Sequence, residues 1–106
     1  MAKYLLQATY TAEGAKGLLK EGGSSRRTTV EQLVQGMGGK VEAFYYAFGD
    51  DDVYVIVDGP GNVDIAAVSM AVGASGAVRL KTTVLLTPEE IDEAAKRSVA
   101  YRPPGT

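Results

Sequence analysis

The chain has no cysteine and no histidine in 106 residues. Without cysteine there is no disulfide, no thiolate metal ligand and no cysteine nucleophile. Without histidine, a histidine-ligated haem, the common zinc sites and any triad with an imidazole base are also excluded. No required metal or cofactor is therefore expected. Apolar runs long enough to cross a bilayer are missing too. Met1-Ala2-Lys3 leads straight into a strand-like segment rather than a signal peptide, so a cytoplasmic protein without a membrane partner is expected. Nor is charge of one sign concentrated. Eleven basic residues against 13 acidic ones leave a formal net charge of −2, which supplies no positive field for nucleic acid or an anionic membrane.

What remains is an ordinary globular composition, sized for one domain over residues 1–106 with a loose tail from about residue 99. "KYLLQATYT" alternates as a strand, with Tyr4, Leu6, Ala8 and Tyr10 on one face. Residues 12–27, "AEGAKGLLKEGGSSRR", read as a long mobile loop holding at most one helical turn over Ala15–Lys20. A helix then follows from Thr28, with Glu31 completing a capping box and Val30, Leu33, Val34 and Met37 forming an apolar stripe that Gly38-Gly39 ends.

"KVEAFYYAFG" and "VYVIVD" are two further strands, and the "GDDD" between them has the composition of a tight hairpin turn. Strict alternation places Glu42, Phe44, Tyr46 and Phe48 on one side of the second strand, with Val41, Ala43, Tyr45 and Ala47 on the other. "VDIAAVSMAVGAS" is a helix apolar nearly all round, a pattern normally buried on more than one side. "AVRLKTTVLLT" is the last strand, and Thr87-Pro88-Glu89-Glu90 caps a short terminal helix.

The order β-α-β-β-α-β plus a terminal helix predicts an α+β, ferredoxin-like domain: a four-stranded antiparallel sheet with its helices on one face. Neither side of the central hairpin is polar throughout, so the open face needs a cover. A homodimer with sheets packed face to face is the expected partner arrangement.

The segments "YTAEG", "GGKVEAFYYAFGDDDVYVIVDGP" and "GAVRLKTTVLLTPEE", in this order and spacing, resemble the GYD domain family of the dimeric α/β-barrel superfamily over nearly the whole chain. The resemblance implies the ferredoxin-like fold and a barrel built from two copies. It implies no single activity, since related barrels include cofactor-free monooxygenases, haem-dependent enzymes and small-molecule binders. At the motif that names the family, Gly49 stands at the glycine, Asp52 at the aspartate and Asp51 at the tyrosine position.

The candidate chemistry is sparse. Asp50, Asp51 and Asp52 could serve a hard cation, but consecutive residues of an extended chain point in opposite directions, and the spacing lacks the calcium-loop pattern. A turn role is favoured, with Asp52 the individual exception. Arg26 and Arg27 lie just ahead of the expected helix start, where a phosphate or carboxylate would be held; exposed loop arginines are the plainer account. Tyr10 sits where the first strand opens into the glycine-bearing segment and would orient a polar or aromatic metabolite. Glu42 and Arg79 are charged residues inside strands, as suited to an edge surface as to a site.

Three function classes stay open. The first is a homo-oligomeric small-molecule-binding protein, its pocket between sheet and helices or at the dimer interface under residues 11–27. The second is a cofactor-independent enzyme, a monooxygenase or isomerase on a small aromatic substrate, using Tyr10 and Glu42. The third is a structural oligomerisation module.

Overall fold

The computed structural model describes residues 2–106. Its elements run β1 (Ala2–Tyr10), α1 (Ala12–Glu21), α2 (Gly23–Gly36), β2 (Lys40–Tyr46), β3 (Val53–Gly59), α3 (Asn62–Ala74), β4 (Val78–Leu85) and α4 (Pro88–Ala95). The four strands form one sheet in the order β2-β3-β1-β4, every neighbouring pair antiparallel. This is the ferredoxin-like α+β arrangement that the sequence predicts, with the first helical segment split in two.

The split is the main correction. Residues 12–27 are helical for nearly their whole length rather than a loop. Thr11 opens α1 by accepting a hydrogen bond from the Gly14 amide at 3.3 Å. Gly22, at φ +86°, then turns the chain from α1 directly into α2, in a backbone conformation that an L side chain resists. Because α2 starts at Gly23, Thr28 lies inside it, and its hydroxyl donates to the Ser24 carbonyl at 3.1 Å instead of capping. Arg26 and Arg27 accordingly project from the body of α2 and do not precede it.

One face of the sheet packs on the helices. Cross-strand neighbours Tyr4–Val57, Leu6–Val55 and Ala8–Val53 stand on this side. With Val34 of α2 and Ile65 of α3 they supply most of the buried core. Strand β2 reaches the core by an irregularity. Val41 pairs with Val57 but Ala43 pairs with Ile56, so Glu42 is the extra residue of a β-bulge. The bulge inverts the alternation, bringing Val41 to the same side as Phe44, where both pack against the core. The strict two-residue reading had put them on opposite faces.

β2 ends at Tyr46, three residues short of the expected Gly49, and residues 47–52 form a wider connection closed by the Ala47 amide donating to the Asp52 carbonyl at 2.8 Å. Phe48 lies fully exposed in that connection, outside the strand.

Among the described residues, no helix lies over the opposite sheet face. Leu5, Ile56, Tyr54, Tyr45 and Ala43 form its apolar centre through the pairs Leu5–Ile56, Tyr45–Tyr54 and Ala43–Ile56. Helix α3 is more open than its nearly all-apolar pattern predicts, and the terminal helix is open as well. Only Ile65 of α3 is buried, leaving Val63 and Met70 exposed. The terminal helix α4 keeps its complete Thr87/Glu90 capping box but buries no residue. Residues 88–106 are exposed throughout, and the radius of gyration is 16.9 Å with a longest extent of 57 Å, where a compact chain of this length would have a radius of ~13 Å.

Candidate functional site

The C-terminal end of β1 delivers Tyr10 to the place where α1, α2 and α3 meet the sheet. Asp52 fixes that end. Its Oδ2 accepts the Tyr10 amide at 2.8 Å, while its own amide donates to the Ala8 carbonyl at 2.8 Å. These bonds carry the β1–β3 ladder beyond the last paired residues and hold Tyr10 against its neighbours.

Behind Tyr10 lies a cavity of about 110 Å³ between the helices and the sheet. Its walls are aliphatic and aromatic: Leu6 and Ala8 of β1, Val30, Leu33 and Val34 of α2, Phe44 of β2, Val53 and Val55 of β3, Val68 and Val72 of α3, and Val78 and Leu80 of β4. Tyr10, Thr29 and Arg26 complete the wall, and Arg26 is its only charged member. Tyr10, Arg26, Val72 and Val78 also line an outer vestibule of about 440 Å³ with Glu13, Gly14, Gly17, Leu18 and Glu21 of α1. Tyr10 and Arg26 thus stand at the junction between an apolar chamber and a wetter mouth.

On the β2 side, Tyr46 hydrogen-bonds the Gly23 carbonyl at 3.1 Å and meets Phe44 edge-on, with ring centroids 5.4 Å apart. It lines a second depression with Gly23, Ser24 and Arg27. Partial burial, and then the neighbouring Tyr10 hydroxyl, push the Tyr46 phenol up to about 12, against a weaker opposing pull from Arg26 and Arg27. At neutral pH this phenol is therefore a hydrogen-bond donor and not a base. Arg26 Nε stands 3.6 Å from Glu21 Oε2 across the α1–α2 joint, a loose ion pair and too long for a hydrogen bond.

Of the six residues that the sequence suggests, the structure brings Tyr10, Arg26 and Arg27 to one region. Glu42 and Arg79 lie elsewhere, and Asp52 adjoins the region through the backbone alone. Asp52 is occupied by the Tyr10 backbone. Glu42, on the bulge, pairs with Lys3 at 2.6 Å, and Lys3 also reaches Asp58 at 2.8 Å. Asp58 first and Glu42 second hold the Lys3 ammonium above the ordinary lysine range. Arg79 is opposite Thr9 on the open face, beside a shallow hollow with Asp50, Asp51 and Lys81. Tyr10 and Glu42 therefore do not form the acid–base pair that a proton-transfer enzyme would need.

The aspartates also sort differently from the sequence reading. Asp51 is the buried member, 4% exposed. Its carboxylate accepts Thr9 Oγ1 at 2.9 Å and Gln7 Nε2 at 3.1 Å and pairs with Lys81 at 3.1 Å. Lys81 foremost, then Thr9 and Gln7, hold it below the usual aspartate value despite the opposing effect of burial. These three partners engage both carboxylate oxygens from the open face of the sheet, away from the cavity.

Sequence reasoning missed Tyr46, Glu13 and Glu21. Tyr46 was legible as a strand aromatic, but the bulge hid which side it faces. The glutamates became wall residues only once their segment folded as a helix.

The family model described as GYD domain matches residues 4–95. No curated protein and no solved structure matched the chain.

Proposed function

We propose that this chain, which belongs to the GYD domain family, is a small-molecule-binding protein whose ligand lies between the sheet and the helices, and that two copies pair through the open faces of their sheets. The observation that carries the ligand reading is the cavity itself: a chamber with aliphatic and aromatic walls whose polar groups gather at one mouth. Binding sites commonly combine an apolar lining with a few polar groups that set orientation. The raised phenol of Tyr46 and the separation of Tyr10 from Glu42 favour binding over proton abstraction.

The test is a screen of small ring compounds, neutral, anionic and cationic, by methyl NMR. The expected result is selective movement of the Val53 and Val55 methyls, abolished in Val68→Phe, which fills the chamber from α3. Absence of any shift at those methyls would remove the cavity as a ligand site.

Self-association draws support from the uncovered apolar centre around Leu5, Tyr45, Tyr54 and Ile56. Ile56→Lys places a charge there and is expected to shift sedimentation from dimer to monomer. A wild-type chain sedimenting as a monomer at micromolar concentration would overturn the pairing.

A purely structural oligomerisation role is the second reading, favoured by one observation: α3 is apolar nearly all round, yet Val63 and Met70 are exposed. Solution scattering separates the readings, because assembly through α3 would produce species larger than a dimer.

A further inference from the structure

The cavity's polar groups are unequal in a way that selects a ligand class. Arg26 is the only charged side chain on the inner wall, and Tyr10 and Thr29 are its only hydroxyls. Thr29 is already engaged, donating to the Ser25 carbonyl at 3.1 Å. Among the described residues the Arg26 guanidinium donates no hydrogen bond, and its approach to Glu21 at 3.6 Å leaves its planar fork available. The guanidinium is a donor only, and the Tyr10 hydroxyl, beside the Tyr46 phenol, both donates and accepts, so an acceptor group on the ligand matches the pair.

The acidic residues decide where that group sits. Glu13 and Glu21 line the outer vestibule and are absent from the inner wall. An anion would be repelled by Glu13 in the vestibule and would compete with the loosely paired Glu21 for Arg26 at the junction, whereas a cationic head would be drawn outward and leave Arg26 facing apolar material. A chamber of about 110 Å³ suits one ring or a short branched chain.

Resting on the reading of this cavity as a ligand site, we propose that the ligand is a small monocarboxylic acid with an apolar aryl or branched acyl body, its carboxylate held between Arg26 and the Tyr10 hydroxyl.

Calorimetric titration of the full chain with benzoate, benzamide and benzamidine tests this, since the three share a shape and differ in charge. Benzoate is expected to bind at least about tenfold more tightly than benzamide, the usual difference made by a charge-assisted hydrogen bond. Benzamidine should be the weakest. Arg26→Gln should bring benzoate and benzamide to within about twofold of each other, while Arg26→Lys retains part of the preference. Arg26 is a part-exposed helical residue, and an unchanged amide spectrum away from the site verifies that both variants fold.

Equal binding of benzoate and benzamide, or tightest binding of benzamidine, would overturn the acid preference while leaving the cavity reading in place. A benzoate preference that survives in Arg26→Gln would overturn the role given to Arg26. Failure of all three compounds to bind, with the Val30 and Val55 methyls unmoved, would overturn the ligand class and the cavity reading together.

Discussion

Two glycines in α1 offer a matched test of how this helix is seated. Gly14 is buried, and a Cβ built there overlaps the backbone carbonyl of Ala77 and comes within 2.9 Å of Tyr10 Cδ1. A Cβ at Gly17, one turn on, meets nothing within 4 Å. Alanine in a helix is favoured over glycine by up to ~1 kcal/mol, so Gly17→Ala should stabilise the protein by roughly that amount. At Gly14 the same gain is opposed by overlap with a backbone atom that cannot rotate away. That carbonyl also accepts the Thr11 amide at 3.0 Å, so displacing it disturbs the bond tying α1 to the start of β4. Overpacking of this kind costs about 1–3 kcal/mol, occasionally more. Gly14→Ala is thus expected to be net destabilising, and because both variants share the alanine gain they should differ by the overlap cost alone, about 1–3 kcal/mol. In urea denaturation, a gap of this size separates the midpoints by roughly 1–2 M. Equal midpoints would refute the seating of α1 on Ala77, and with it the vestibule wall that α1 supplies.

Further outcomes follow from the ionisable groups and from the terminal arm. Asp51 has a folded-state pKa below its ordinary value of 3.8. Its contribution is therefore present above that value and lost as pH falls through the folded one. Asp51→Asn should lower the denaturation midpoint at neutral pH, and the difference from wild type should shrink below pH ~4; a pH-independent gap would contradict the Lys81 pairing. Tyr46 is raised from 10.0 to about 12, so its neutral phenol favours the fold below pH 10 and that contribution disappears as pH climbs toward 12. Ultraviolet titration should show a late phenol step near pH 12, and Tyr46→Phe should remove it. Because α4 and the tail bury no side chain, deletion of residues 88–106 should change the unfolding free energy by less than ~0.5 kcal/mol; a larger loss would place the arm against the body.

Much of this protein was determined by local sequence. The alternation in β1 and β3, the Thr87/Glu90 capping box, the stop at Gly38-Gly39 and the β-α-β-β-α-β order all follow from short-range preferences, and they specify the ferredoxin-like sheet. The place of Tyr10 at the end of β1 was legible in the sequence because the strand pattern stops there.

What local preference could not supply was any property set by a distant partner. The helical state of residues 12–27 depends on Gly14 resting on Ala77 and on the turn at Gly22, whereas glycine content alone argues for a loop. The bulge at Glu42 shows itself only against the register of β3, so strict alternation in β2 put Val41 and Phe44 on different faces. Among three adjacent aspartates, the chain itself does not distinguish the one that Lys81, Thr9 and Gln7 bury from the one that holds the Tyr10 amide. The junction of Tyr10 with Arg26 likewise exists only after β1 and α2 converge. Sequence determines the elements because their energies are local; the tertiary structure decides the site because its walls and charges come from every layer of the fold.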